Sequence, residues 1–332
     1  MERFDYEQLY SATVPSVVSL YRDAGRGGAG SGFVYDESHV LTNEHVVRDR
    51  KRVDVRFHDG SGETGTVVGS DVYTDLAVVR VDDRPVDATP LPIAGEDAYP
   101  RPGQHVAALG NPLGLDGSLT TGVVSGVDRS MRTSGGFSIP DVVQTDAPIN
   151  PGNSGGPLVA AAGDYPVVGV NRAKSGDNIG FAVSARVVST VVSDLLAEGR
   201  FRHSYLRVRT LDVTPRIADA NGLDDPRGVI VVDVREQTGG DRLVGCRSRR
   251  RVGDTAVPVG GDVIVGLEGA RVRSHEELTR LLLTETRPGR PVTLEVVRNG
   301  RERTIQTVPV ERPVSTDDRQ RADDRTTEIP ID

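Results

Sequence analysis

The sequence predicts a mainly β protein: a first domain built as a β-barrel or sandwich, then a smaller mixed α+β domain. Strand-like runs recur from residue 14 to residue 183 at intervals near ten residues, the spacing of an all-β barrel or sandwich. An amphipathic helical stretch at residues 185–198 closes that series, and after residue 204 the pattern resets into alternating strand and helix signals. Composition agrees. Only 36 % of the 332 residues are hydrophobic, Trp is absent, and there are 38 Gly and 20 Pro, which favours short elements joined by turns over long helices.

Taken in order, residues 1–13 read as a short N-terminal arm. Residues 14–21 (Val-Pro-Ser-Val-Val-Ser-Leu-Tyr) are rich in β-branched side chains and read as a strand. A glycine-rich turn at 25–32 leads into a hairpin at 33–35 and 40–42. Further strand-like runs lie at 53–57, 66–69, 76–81, 105–109, 122–127, 142–145, 158–160, 167–170 and 180–183. Gly199 follows the helical stretch as a C-cap, so a boundary falls near 200–204 and the first domain covers residues 14–200. Residues 204–311 make a second domain of ordinary size. Its strands lie at 206–208, 228–234 and 262–265, and a helix at 274–283 opens on Ser274 with Glu277 three residues on, a capping box. Runs at 291–297 and 303–310 flank Asn299-Gly300, a strong hairpin signal. Residues 312–332 are charged and almost without apolar side chains, and are expected to be disordered.

The net charge of −8 provides no global basic field for nucleic acid. Lys51 and Lys174 are the only lysines, and Asp outnumbers Glu. That balance fits a protein working at high salt or a GC-rich gene; full activity without added salt would remove the first reading. The single cysteine, Cys246, excludes an intrachain disulfide. It has no histidine close by in sequence, so it reads as an incidental thiol. No run approaches the ~18 apolar residues of a membrane-spanning helix. The charged, aromatic first ten residues carry no secretory signal as written, which gives a cytoplasmic expectation, with an extracytoplasmic site as the alternative if an export signal is missing from this sequence.

The stretch that organises the first domain is residues 146–159, Asp-Ala-Pro-Ile-Asn-Pro-Gly-Asn-Ser-Gly-Gly-Pro-Leu-Val. Gly152, Gly155 and Gly156 let the chain turn tightly around Ser154, projecting a hydroxyl and gathering backbone N–H groups, as a nucleophile and oxyanion hole require. Alone, the stretch equally fits a glycine-rich hairpin turn with an ordinary exposed serine. A serine nucleophile needs a base, and the base an orienting acid. Of six histidines, His45 sits just after a strand end, whereas His105 lies in an apolar run and His203 and His275 fall outside the first domain. Asp75 begins an apolar strand, where a carboxylate needs a partner.

Three segments occur in order: Thr42-Asn43-Glu44-His45-Val46-Val47, Thr74-Asp75-Leu76-Ala77-Val78, and Asn150-Pro151-Gly152-Asn153-Ser154-Gly155-Gly156-Pro157-Leu158. Together they resemble the HtrA/Deg family of trypsin-like serine proteases. Gly30-Ser31-Gly32-Phe33, Leu109-Gly110-Asn111-Pro112 and Ile179-Gly180-Phe181-Ala182 are similar to further family segments. The resemblance covers about residues 14–197. It implies a chymotrypsin-like double β-barrel with the active site between barrels. His45 would be general base and acid, Asp75 its orienting partner and Ser154 the nucleophile. Gly152 and Ser154 would supply oxyanion N–H groups with Asn153 between them, and Ile179, Gly180, Phe181 and Ala182 would line a pocket for small or medium aliphatic residues. The loop around Gly135-Gly136, residues 129–139, would switch between ordered and disordered forms.

The second domain resembles the PDZ domain that follows the protease in this family, through residues 205–208, 228–232, 261–264 and the helix at 274–283. Leu206, Arg207 and Val208 would form the carboxylate-binding loop of a peptide groove. Arg207 stands where glycine is usual, and residues 239–260 depart from the family, with Arg247, Arg249, Arg250 and Arg251 around Cys246. A solvated loop reads more naturally there than an anionic-partner site. The resemblance implies an ATP-independent endopeptidase that acts on unfolded or damaged proteins, with no metal or organic cofactor. It also implies a homotrimer or higher homo-oligomer, for which Phe4, Tyr6 and Tyr10 are candidate contacts. The alternative is a peptide-binding chaperone or scaffold with weak or silent protease activity.

Overall fold

The β-branched runs of the first half pair into two closed antiparallel barrels of six strands each. The structure is a computed structural model, and it describes residues 4–22, 30–111, 117–132, 138–174, 179–235 and 242–313. The first barrel uses β1 (Val17–Tyr21), β2 (Gly30–Val34), β3 (His39–Thr42), β4 (Arg52–Arg56), β5 (Gly62–Asp71) and β6 (Leu76–Arg80). Their order is β1-β2-β3-β6-β5-β4, and β4 closes on β1 through Leu20 opposite Val55. Closure leaves no unpaired edge, and the interior fills with Val18, Leu20, Val40, Val55, Val79 and their neighbours. The second barrel uses β7 (His105–Gly110), β8 (Ser118–Arg132), β9 (Ser138–Thr145), β10 (Pro157–Ala160), β11 (Val167–Lys174) and β12 (Gly180–Ser184), in the order β10-β11-β12-β9-β8-β7. Val106, Val124, Val143, Leu158, Val168 and Ala182 pack inside it.

Two local expectations change at the N-terminus. Residues 14–16 form a 3-10 turn instead of the start of a strand, because Pro15 has no N–H for the ladder; the strand begins at Val17. The arm contains a helix, α1 (Tyr6–Thr13), capped by the Asp5 carboxylate accepting from Gln8 N at 2.9 Å, and it buries Leu9 completely. Phe4 stacks on His105 at 4.1 Å between ring centroids and the Tyr6 hydroxyl bonds the same imidazole at 3.1 Å, so these aromatics have partners within their own chain. His45 lies in the single turn α2 (Glu44–Val47). The amphipathic helix α3 (Ala185–Glu198) runs from Ser184, whose hydroxyl caps Val187 N, to Gly199 in the left-handed region.

The chain divides into two compact units with residues 4–201 in one and 202–313 in the other. The second unit holds β13 (Ser204–Tyr205), β14 (Val208–Asp212), α4 (Pro215–Asn221), β15 (Val229–Val234), β16 (Ser248–Val252), β17 (Thr255–Val259), β18 (Val263–Leu267), β19 (Ala270–Arg271), α5 (His275–Thr284), β20 (Val292–Arg298), β21 (Arg301–Thr307) and β22 (Val310–Glu311). The main sheet runs β14-β15-β18-β20-β21. Asn299 and Gly300 both take positive φ in the turn between β20 and β21, as a two-residue hairpin of this sequence requires. Ser274 caps α5 by accepting from Glu277 N at 3.3 Å, but the Glu277 carboxylate reaches Arg273 N at 2.8 Å, one residue before the cap of a standard capping box. The arginine-rich stretch forms the β16–β17 hairpin with Arg249, Arg250 and Arg251 exposed. Residues 314–332 of the expected tail, residues 25–29 of the glycine-rich turn and Gly135-Gly136 lie outside the described residues. Among the described residues no helix is long and apolar enough to cross a membrane.

Candidate active site

The turn before β10 is built from both barrels. Gly152 and Gly155 take φ of +104° and +86°, a region side-chain-bearing residues resist. Ser31 on β2 clamps the turn: its hydroxyl donates to Gly152 O at 2.6 Å and its N–H to Ser154 O at 2.7 Å. From β11, Asn171 O accepts from Gly155 N at 2.8 Å. A Cβ on Gly155 would collide with the Ser31 carbonyl and the Thr42 hydroxyl. Gly155→Ala is therefore expected to lower stability by about 3 kcal/mol from strain and overpacking together. Thermal unfolding checks this; an unchanged Tm would show that the turn relaxes freely.

β3 ends at Thr42, and Asn43 and Glu44 then tie α2 to the loop before β6: Asn43 Nδ2 and Glu44 N donate to Asp75 O at 2.9 and 3.1 Å. This aims the Asp75 carboxylate at the imidazole one residue further on. His45 Nδ1 lies 2.8 Å from Asp75 Oδ2, and His45 N donates to Oδ1 at 3.0 Å. Asp75 itself is held at φ +56° and is 3 % exposed. Burial pushes its carboxyl up, but the His45 and Arg172 charges and the hydrogen bonds from His45 overcome that and hold it well below the usual carboxylate range. The group is thus a permanent anion against Nδ1, which leaves Nε2 as the nitrogen able to take a proton.

Arg172, on β11, is the residue that sequence reasoning missed. Its Nε donates to Asp75 Oδ2 at 2.8 Å, and its backbone carbonyl accepts the Ser154 hydroxyl at 2.7 Å. One residue thereby touches both the acid and the hydroxyl. Among the described residues no hydrogen bond joins Ser154 Oγ to His45, so the hydroxyl is turned toward β11. The Gly152 and Ser154 N–H groups have no partner among the described residues, whereas Asn153 N is committed to Asn150 O at 3.0 Å. The sequence signal for Arg172 was weak: a charged residue near the end of a buried strand.

Glu44, beside His45, is pushed up to about 7 by burial first and then by the Asp75 charge. A folded carboxyl that binds its proton more tightly than the unfolded chain stabilises less as pH rises. Between pH ~4.5 and ~7, wild type is expected to lose about 2 kcal/mol relative to Glu44→Gln, and the gap then stays constant. Denaturant unfolding of both chains across that range checks it; parallel curves would remove Glu44 as the titrating group.

The expected pocket residues lie on and just before β12, adjacent to β11. Ile179 and Phe181 are half-buried, while Ala182 is fully buried in the barrel core. In the second unit, Leu206 packs in the core and Arg207 takes φ +55°, the left-handed conformation that glycine would favour. Val208 starts β14, which pairs on one side with β15. Thr210 Oγ1 and the Asp212 carboxylate reach His275 at the start of α5, at 3.0 and 2.6 Å. Cys246 is half-buried with its thiol on Val231 O at 3.3 Å, and burial pushes that thiol up, as for an inert structural cysteine.

With this geometry in hand, known proteins give a consistent comparison. Residues 30–170 match the trypsin-like peptidase domain and residues 204–308 the PDZ domain. Protease Do-like 1, chloroplastic, of Arabidopsis thaliana is 34 % identical over 92 % of this chain and 72 % of its own length. The chain belongs to the HtrA family of trypsin-like serine proteases. Serine protease Do-like HtrA of Bacillus subtilis is 34 % identical over 83 % of the chain, which spans 62 % of that HtrA protein. A solved HtrA-type protease, AlgW with tripeptide, matches with a TM-score of 0.77 at 29 % identity, covering 94 % of this chain and 98 % of that one. The double barrel and following PDZ domain are thus the HtrA arrangement of domains.

Proposed function

We propose that this HtrA-family chain is an ATP-independent serine endopeptidase of unfolded or damaged proteins, working through His45, Asp75 and Ser154. The observation that carries the reading is the Asp75–His45 contact at 2.8 Å, with Ser154 linked to the same carboxylate through Arg172. Asp75 fixes the imidazole so that Nε2 faces the hydroxyl once Ser154 rotates off the Arg172 carbonyl. His45 Nε2 then takes the hydroxyl proton as Oγ attacks the scissile carbonyl, and later returns it to the leaving amine. The N–H groups of Gly152 and Ser154 receive the oxyanion; Asn153 sets their spacing. Ile179 and Phe181 contact the residue before the cut, which their apolar character restricts to aliphatic side chains.

The PDZ domain engages substrate or regulates cleavage, with Leu206, Arg207 and Val208 beside the exposed edge of β14. The solved AlgW structure is one with a tripeptide, which supports peptides as a ligand class for this chain. A homotrimer or larger homo-oligomer is the proposed assembly. The test is reaction of the purified chain with a fluorophosphonate, mapped by mass spectrometry, together with casein hydrolysis. Labelling at Ser154 and cleavage of casein are expected. A chain that cleaves no unfolded protein at any salt or temperature, while still binding it, is a chaperone or scaffold instead.

A further inference from the structure

We infer that Arg172 is a positioning residue of the catalytic centre, a cation that shares the Asp75 carboxylate with His45 and so sets the pH at which His45 starts to act as a base. The inference rests on the assignment of His45, Asp75 and Ser154 as the reacting set. His45 Nδ1 and Arg172 Nε both sit 2.8 Å from the same oxygen, Oδ2, so the guanidinium and the imidazole cannot be further apart than twice that distance. The carboxylate is 5 % exposed at its side chain, against 23 % for Arg172 and 26 % for His45. At that burial charges are poorly screened.

Two effects then act in one direction. The guanidinium draws negative potential from the oxygen that must stabilise an imidazolium, and its own positive charge repels that imidazolium at close range. Both favour the neutral, proton-accepting ring. Both contacts come from one residue of β11: the Arg172 carbonyl holds the resting Ser154 hydroxyl at 2.7 Å and its Nε donates to Asp75 Oδ2 at 2.8 Å. The charges acting on the Asp75 carboxylate are His45 and Arg172, and those acting on Glu44, next to His45, are Asp75, Arg48, Asp49 and Asp71. Asp71 is bonded to Thr74. Glu44 titrates near neutrality, so it must be neutralised before the effect of Arg172 is read.

The experiment follows the rate of fluorophosphonate labelling of Ser154 against pH in a Glu44→Gln background, which reads the base of the free enzyme. Arg172→Gln keeps an N–H donor without the charge, Arg172→Met removes both, and Arg172→Lys keeps the charge. The acid limb is expected to move up by about 0.5–1 pH unit in the Gln and Met chains, and to stay within ~0.2 unit of the parent in the Lys chain. Two results overturn the inference: a Gln or Met limb that superimposes on the parent, or a Lys limb displaced as far as theirs. If the parent does not label at Ser154 at all, the assignment of the reacting residues falls first, and this inference with it.

Discussion

Ser154→Ala is expected to reduce casein hydrolysis by a factor on the order of 10⁴–10⁶ and to abolish fluorophosphonate labelling. The substitution removes one oxygen from a half-buried site whose turn is held by other atoms: Ser31 on Gly152 O and Ser154 O, and Asn171 on Gly155 N. None of those bonds uses the Ser154 hydroxyl. Its own bond, to Arg172 O, leaves behind a carbonyl in a cleft, so stability is expected to change by only about 1 kcal/mol. Activity and stability therefore separate. Equal casein cleavage by the two chains would assign the nucleophile elsewhere, and a large fall in Tm would make the activity loss uninformative about chemistry.

Candidate site residues with local signatures could be named from sequence, and one defined by distant contacts could not. His45, Asp75 and Ser154 each sit in a segment whose neighbours show why the backbone is special. For Ser154 these are glycines at positive φ, and for Asp75 a turn residue at the mouth of an apolar strand. Arg172 has no such context. Its contact with Asp75 bridges 97 positions along the chain, and only the folding of β11 beside the turn brings it there. The double barrel was legible in class, since strand spacing and turn chemistry are local, but spacing alone left barrel and sandwich open. Ring closure through Leu20 and Val55 is a long-range fact.

Errors of detail have equally local causes. Pro15 kept residues 14–16 (Val-Pro-Ser) out of the strand formed by the β-branched run that follows. The helix α4 has its signals in plain view, Thr214 as cap, Pro215 in the first turn and Gly222 in the left-handed region. At seven residues it is too short for apolar periodicity to register. The β16 strand was masked by Arg249, Arg250 and Arg251, residues depleted from buried strands but tolerated on an exposed two-stranded hairpin. Arg207 was recognised as foreign to its loop. Its φ of +55° shows that the backbone kept the conformation and accepted the strain of a side chain there.

Asp75→Asn is expected to lower kcat/KM by roughly 10³–10⁴ while the chain still folds. The buried carboxylate accepts on every side: from His45 Nδ1 and Arg172 Nε at Oδ2, and from His45 N at Oδ1. An amide offers one acceptor and one donor, so some neighbour must face a donor. If the amide nitrogen replaces Oδ2, it takes the shorter of the two contacts to Nδ1 and favours an imidazole that accepts there. That places the ring proton on Nε2 and removes the base, while the longer 3.0 Å contact to Oδ1 is left to compete for the working tautomer. If it replaces Oδ1, it confronts the His45 backbone N–H and pushes the α2 turn away. Either arrangement leaves Arg172 without its counter-charge, at a cost of about 2 kcal/mol after allowing for its partial exposure. The acid side gives a second reading. Because Asp75 is held below the usual carboxylate range, its stabilisation is present above pH ~4 and disappears as pH falls through the folded value. The stability gap between wild type and Asp75→Asn should therefore narrow in strong acid and stay constant above it. A gap that widens toward acid, or an Asn chain with unimpaired turnover at neutral pH, would mean that the carboxylate does not hold the imidazole in its working form.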